Sequence, residues 1–362
     1  MSLNPYIKPK FETTTTVMVD VIIALLPLSI LSYIAYGMQA IQLQLLAIGV
    51  ALVTELISAV LVTKNYRSIL DGSAVVTALL MCFTISPITP WYIVAFGAAS
   101  AILFGKIVWG GLGKNRFNPA LVGREFMATF FPVIMTSAGI WATTSYIQTP
   151  ATHLFPGLTS DYLNSYLSGL VYKTSGAMGE YSIVAIAIGG LYLLIRNRIS
   201  WHIPFALLAV FFACFWFVPD GDDLKFSLAG VLLGTIFMAT DMPSSPTNTN
   251  GKLYYGGMIG LVTFLLLLGK VSYEYMSFSI LILNGFSRFI SLVFKPKVWG
   301  QPLDWQSRIE QIFLLTLAIL GVTLAVISLD YYHMIPYLVY VYIVYIIFKF
   351  NFSFLKNISN PI

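Results

Sequence analysis

Apolar runs of roughly 20 residues, parted by short polar intervals, follow one another along most of the chain. A helix rising 1.5 Å per residue needs about that length to cross a hydrocarbon core about 30 Å thick. The pattern predicts about twelve spans, at 17–36, 41–63, 69–86, 91–110, 120–138, 181–195, 200–218, 226–240, 254–269, 275–293, 310–329 and 332–350. A transmembrane barrel would show short alternating segments instead. The expected fold class is therefore an all-α polytopic membrane protein.

Composition narrows the choice further. Of 362 residues, 58% are hydrophobic and 10% charged, too little charge to cover a soluble surface. The polar N-terminal stretch, residues 1–16, lacks an apolar core followed by a small-residue cleavage site, so the first helix itself is expected to direct insertion. Cys82 and Cys214 lie in different runs with no CxxC pair, and His153, His202 and His333 form no ligand pair, so no metal site is expected.

The net charge of +5 points to loops more than to nucleic acid. With the N-terminus on the cytoplasmic side, the loops there carry Lys8, Lys10, Lys64, Arg67, Lys114, Arg116, Arg196, Arg198, Lys252, Lys295, Lys297, Arg308, Lys349 and Lys356. The opposite loops hold Lys173, Lys225 and Lys270. Positive residues resist translocation, so both termini are expected in the cytoplasm.

Two spans are interrupted by polar residues. The third begins with DGSAVVT at 71–77, and the eighth runs into MATDMPSSPTN at 238–248. Broken helices of this kind expose backbone donors and acceptors to a ligand or ion, often at related places of an inverted repeat. Spans one to five and six to ten can form such a repeat.

Asp20, Glu55, Lys106, Arg124, Glu125 and Arg288 lie within apolar spans. Each costs roughly 2.5 to 3.5 kcal/mol near a helix centre and needs a partner or water. Asp20, Glu55 and Asp241 are the ion-path candidates, because short carboxylates cannot reach the interface by stretching. The segment GGLGKNRFNPALVGREF at 110–126 starts a helix with Asn118 and Pro119 beside Lys114, Arg116 and Arg124. It reads either as a capped turn with positive loop residues or as an anion-holding helix start.

The blocks DVIIALLP (20–27), DGSAVVTALLM (71–81), FNPALVGREF (117–126), GAMGEYS (176–182), ATD (239–241) and LNGFSRFI (283–290) together resemble the RnfD/NqrB family. The likeness spans about residues 15–300, and the lack of a long N-terminal extension places it closer to RnfD. It implies a ten-helix core of two inverted five-helix repeats, similar to urea transporters, with a C-terminal two-helix hairpin added. The expected layout is a cytoplasmic segment at 1–16, repeats at 17–138 and 181–294 around an outer loop at 139–180, a connection at 295–309, the hairpin at 310–351 and a tail at 352–362.

The resemblance further implies a subunit of an ion-motive electron transport complex in the bacterial inner membrane, coupled to Na+ or H+, rather than a stand-alone enzyme. Its implied cofactors are a covalent FMN, attached by a flavin transferase to an outer threonine, and riboflavin or another second, noncovalent flavin. Its partners would be the other members of the complex and the lipid bilayer. Thr149, followed by Pro150, occupies the attachment position, but Tyr146, Ile147 and Gln148 stand where the family has Ser-Gly-Ala. Asp71, Gly72, Ser73, Thr77, Asn118 and Arg124 are the candidates for the noncovalent flavin. Alternatives are a family member without covalent FMN that serves as scaffold or ion path, and a urea-transporter-like solute channel.

Overall fold

A computed structural model describes residues 13–63, 66–143, 176–218, 224, 226–271, 273–295 and 305–359. Every regular element among them is helical. The long helices are α1 (Thr14–Tyr36) and α2 (Met38–Ser58), followed by the shorter α3 (Ser73–Phe83) and α4 (Trp91–Ser100). Next come α5 (Pro119–Phe130) and the single turns α6 (Pro132–Met135) and α7 (Ala138–Trp141). Beyond 144–175 lie α8 (Ile183–Ile195), α9 (His202–Phe215), α10 (Leu228–Leu233), α11 (Thr249–Leu268), α12 (Tyr275–Val293), α13 (Trp305–Tyr331) and α14 (Ile335–Ser359).

Six stretches are long and apolar enough to cross a membrane: Thr14–Tyr36, Met38–Leu61, Trp91–Trp109, Thr249–Leu268, Tyr275–Val293 and Trp305–Tyr331. Five more are apolar but shorter: Ser73–Phe83, Ile183–Ile195, His202–Phe215, Leu228–Met238 and Ile335–Lys349. The chain is a multi-pass membrane protein. The shortening against the sequence expectation has local causes. Span five, expected over 120–138, stops at Phe130, because Pro132 has no amide to donate and restricts Phe131, which sits at φ −128°, ψ 50°.

α3 has 11 residues and α10 continues as a wider π turn only to Met238. At about 1.5 Å per residue neither spans a bilayer alone. Their non-helical flanks lie inside the protein, where other groups can satisfy the backbone. Past the end of α3, Met178 N donates to Ile85 O (2.9 Å), and the Ser86 hydroxyl donates to Ile140 O. At its start Gly72 sits at φ +81°, a conformation few other residues accept, which lets the Asp71 carboxylate turn back to the Ser73 amide (2.8 Å).

Small residues set the helix spacing. A Cβ on Gly256 or Gly260 would meet the carbonyl oxygens of Ile203 and Leu207, so α9 and α11 touch backbone to backbone. α13 and α14 bury Leu315, Ile319, Val326 and Val339 against the core and add a few polar contacts. Tyr254 and Thr316 hydroxyls are 2.8 Å apart, and Tyr342 donates to Phe104 O (2.9 Å) while accepting from Trp109 Nε1 (3.0 Å).

Candidate functional site

The start of α3 and the end of the Leu228–Met238 stretch meet on the face that carries the basic turns. Between them lies a cavity of about 260 Å³. Val17, Val76, Leu80, Ile236 and Phe237 give it apolar walls; Ser73, Thr77, Asn115, Asn118 and Thr240 give it hydrogen-bonding groups. Lys106, Arg198 and Asp241 supply charge at its margin. Such a mixture suits a flat molecule with apolar faces and a polar edge.

One wall is tied together by a buried chain of charges. Lys106, placed by the π turn Ala101–Lys106, donates to Glu55 Oε1 (2.6 Å) and to the Ser73 hydroxyl, which itself donates to Asp71. Four residues from three spans thus hold the α3 start in place. Asp71 takes part through Ser73 and is not itself at the cavity wall.

The opposite wall is built from amides. Asn118 caps α5, accepting from Ala120 N (3.0 Å), while its Nδ2 donates to Met238 O (3.2 Å). The cap that local sequence demands therefore also fastens α5 to the end of the broken eighth span. Asn284, buried, meets the Tyr255 hydroxyl (2.6 Å) and bridges the Asn118 amide to Ser244 O. Asp241 accepts from Ser244 (2.8 Å) and Asn115 (3.3 Å), and burial in the turn that follows Met238 pushes its carboxyl up to about 6.

Of the noncovalent-flavin candidates, Ser73, Thr77 and Asn118 line this one cavity, with Gly72 and Asp71 just behind. Arg124 does not join them. Arg124 lies four positions along α5 from Ala120 at the cavity and turns to the other face, where Nε lies 3.0 Å from Glu274 and the guanidinium donates to Tyr273 O (2.7 Å). The expected grouping with Asn118 fails because α5 points toward the opposite face as it rises. Thr149 lies outside the described residues.

The ion-path candidates all have partners. Asp20 accepts from Arg198 Nε (2.6 Å), Arg196 (3.2 Å) and the Tyr192 hydroxyl (3.0 Å), clamping α1 to the end of α8. Glu55 pairs with Lys106, and Asp241 with Asn115 and Ser244. Sequence reasoning missed Asn115, Thr240 and the role of Arg198, since a loop arginine reads first as a topology signal. Among the described residues no three His, Cys, Asp or Glu side chains converge on a metal position.

The fold and this cavity define an all-helical, multi-pass membrane protein with two interrupted spans facing one apolar-walled pocket that carries a few polar groups. A model of the NQR2, RnfD, RnfE family matches residues 1–300, and the chain belongs to that family. It is 35% identical over 307 residues to the D subunit of the Na+-translocating ferredoxin:NAD+ oxidoreductase complex of Acetobacterium woodii, covering 83% of this chain and 95% of that protein. It is 31% identical over 320 residues to the D subunit of the proton-translocating ferredoxin:NAD+ oxidoreductase complex of Clostridium ljungdahlii, covering 83% and 96%. The D subunit of the ion-translocating oxidoreductase complex of Shewanella sediminis is 29% identical over 342 residues, covering 82% and 97%. The helices α13 and α14 lie beyond the residues matched by the family model.

Proposed function

We propose that this chain is the membrane subunit of an Rnf-type, ion-motive electron transport complex, and that it relays electrons through flavin. The observation that carries the reading is the cavity between the interrupted spans, where Thr77, Asn115 and Asn118 border apolar walls beside two cations. A noncovalent flavin, riboflavin or FMN, fits this donor set: its ring faces are apolar and its edge accepts and donates hydrogen bonds. When bound, a flavin would supply the electron steps; Thr77, Asn115 and Asn118 are the side chains that would hold its edge, with Lys106 and Arg198, each paired with a carboxylate, beside it. Thr149 is the residue to which a second, covalent FMN would be joined by a flavin transferase.

The family membership supports a place among other membrane and peripheral subunits; we place the protein in the bacterial inner membrane and, from the distribution of Lys and Arg among its loops, both termini in the cytoplasm. Relatives named for sodium and for protons occur at similar identity, so membership leaves both coupling ions open. We also read the core as two inverted five-helix halves with α13 and α14 as an added hairpin. In that arrangement the inner start of α3, with Asp71 and Ser73, pairs with the outer start of α10, where Ser227 caps the helix and donates to Glu180 (2.6 Å). The two interruptions noted in the sequence both border the cavity.

The test is flavin analysis of the purified complex. The denatured protein is viewed under ultraviolet light, its peptides over 139–173 are weighed, and acid-released flavin is counted. A fluorescent band lost in Thr149→Ala supports covalent FMN. A dark band with released flavin assigns the redox role to the cavity alone, an outcome that the bulky residues before Thr149 favour. Absence of both kinds overturns the electron-relay reading and leaves a scaffold, ion path or solute channel.

A further inference from the structure

Asp20 and Glu55 each face a cation and Asp241 is hydrogen-bonded; a different arrangement of charge lies elsewhere. On the face opposite the basic turns, Arg124 is shared by Glu274, whose Oε2 is 3.0 Å from Nε, and by Glu125. Glu125 interacts electrostatically with Glu274 and neighbours Ser277, whose buried hydroxyl has no hydrogen-bond partner among the described residues. Glu125 is 7% exposed, and neither its Oε1 nor Glu274 Oε2 receives a hydrogen bond from any described residue. One guanidinium thus faces two carboxylates in an apolar surrounding.

Among the described residues, Arg124 is the cation that acts on Glu125. Glu180, which accepts from the Ser227 hydroxyl, also lies in the field of Arg124, with Tyr275 beside it. From α13, Asp330 lies in the field of Glu274, with His333 nearby. Trp141 covers the guanidinium with its ring face, 5.9 Å from centroid to Cζ, and brings no formal charge. On its other side Glu125 borders an apolar cavity of about 450 Å³ that α5 and α12 form with α13 and α14. Phe126, Phe278, Leu281, Val326 and Val339 among its lining residues offer no cation. Two carboxylates that share one guanidinium at low dielectric resist being ionised together without another positive charge.

We propose that Glu125, Glu274 and Ser277 form a binding site for one monovalent cation, a proton or a sodium ion. The carboxyl oxygens and the hydroxyl are ligands for sodium; a proton shared by the two carboxyls gives the same charge balance. Occupancy follows from the charges alone, whereas a part for the site in ion translocation rests on the function proposed above.

The apolar cavity gives a way to test it, because it admits a membrane-soluble carbodiimide to the Glu125 carboxyl. The purified complex is treated with dicyclohexylcarbodiimide in sodium-free buffer at mildly acidic pH, and the adduct on the peptide containing Glu125 is quantified. The expected result is an adduct on Glu125. Its loss on adding sodium chloride, with potassium chloride as control, identifies sodium as the occupant; its loss only at alkaline pH identifies the proton. In Glu274→Gln, where Arg124 can pair with Glu125 alone, the adduct is expected to fall. No adduct on wild-type Glu125, or one that neither sodium nor alkali reduces, overturns the proposal. The labelling needs no electron transfer, so flavin counted in the same sample keeps failure of the electron-relay reading separate.

Discussion

Lys106 Nζ stands 2.6 Å from Glu55 Oε1, with side chains 2% and 0% exposed, and the pair joins the fourth span to the second directly behind the start of α3. Removing one member of such a pair leaves a buried charge without compensation, a loss of about 3–5 kcal/mol, whereas replacing both with neutral groups of similar size is often near neutral. Lys106→Met is therefore expected to lower the melting temperature of the detergent-solubilised complex sharply. Glu55→Gln combined with Lys106→Met should recover most of that loss. A double variant as unstable as the single one would show that Lys106 acts through Ser73 and packing, not through charge.

The contact between α9 and α11 makes a second, sterically defined prediction. Gly256 and Gly260 lie one helical turn apart and face the backbone of Ile203 and Leu207, the close approach that small residues permit in membranes. Gly260→Val forces the helices apart and should cost about 1–3 kcal/mol, as overpacking does. Gly257→Ala is the control: its Cβ would lie 3.4 Å from Val210 Cγ2, a contact that a flexible side chain can absorb. Thermal unfolding of the two variants should differ clearly; equal losses would place the effect in helix propensity and not in packing.

The helical class and most span positions are legible in the sequence because lipid demands long apolar runs and internally satisfied backbone, and both leave a mark on every residue. Asn118 is legible as a cap because capping is local: an Asn before a Pro declares a helix start wherever the helix lies. Its bond to Met238 O is not, since it joins residues 120 apart in sequence. Charge pairing escapes for the same reason. Asp20 looks like an unmatched carboxylate until α8 brings Arg196 and Arg198 to it, and Glu125 looks matched by the adjacent Arg124 until Glu274 takes a share of that cation. Arg124 departs from its expected place because proximity along a helix does not mean a shared depth: each residue rises about 1.5 Å and turns about 100°.

Thr77 offers a test of the cavity that spares the framework. It is 7% exposed and lines the pocket, but takes no part in the Asp71, Ser73, Lys106 and Glu55 chain. Thr77→Val keeps the shape and replaces the hydroxyl with a methyl. Loss of one hydrogen bond to a bound flavin is worth about 1.4 kcal/mol, or about tenfold in affinity. Titration of flavin-depleted complex with riboflavin or FMN should show that weakening, while the melting temperature of the depleted form and any covalent flavin stay unchanged. Unaltered binding would place the noncovalent flavin away from this wall.

Asp241 makes the last prediction, and its sign follows from its burial. Desolvation pushes its carboxyl up to about 6 despite the hydrogen bonds from Ser244 and Asn115, whereas an unfolded Asp titrates near 4. A folded value above the unfolded one means that folding favours the protonated form. The associated stability is fully present below about pH 4 and is lost as pH rises through about 6, because the buried carboxylate must then be kept charged. Asp241→Asn keeps an acceptor for Asn115 and Ser244 but cannot ionise. Between about pH 4 and pH 7 the wild-type protein should therefore lose stability relative to the variant, by an amount on the order of 1–3 kcal/mol, leaving Asp241→Asn the more stable at neutral pH. Melting temperatures of the two, measured across that range, report the difference. Parallel curves would mean that Asp241 is hydrated and that the turn after Met238 stands open to water.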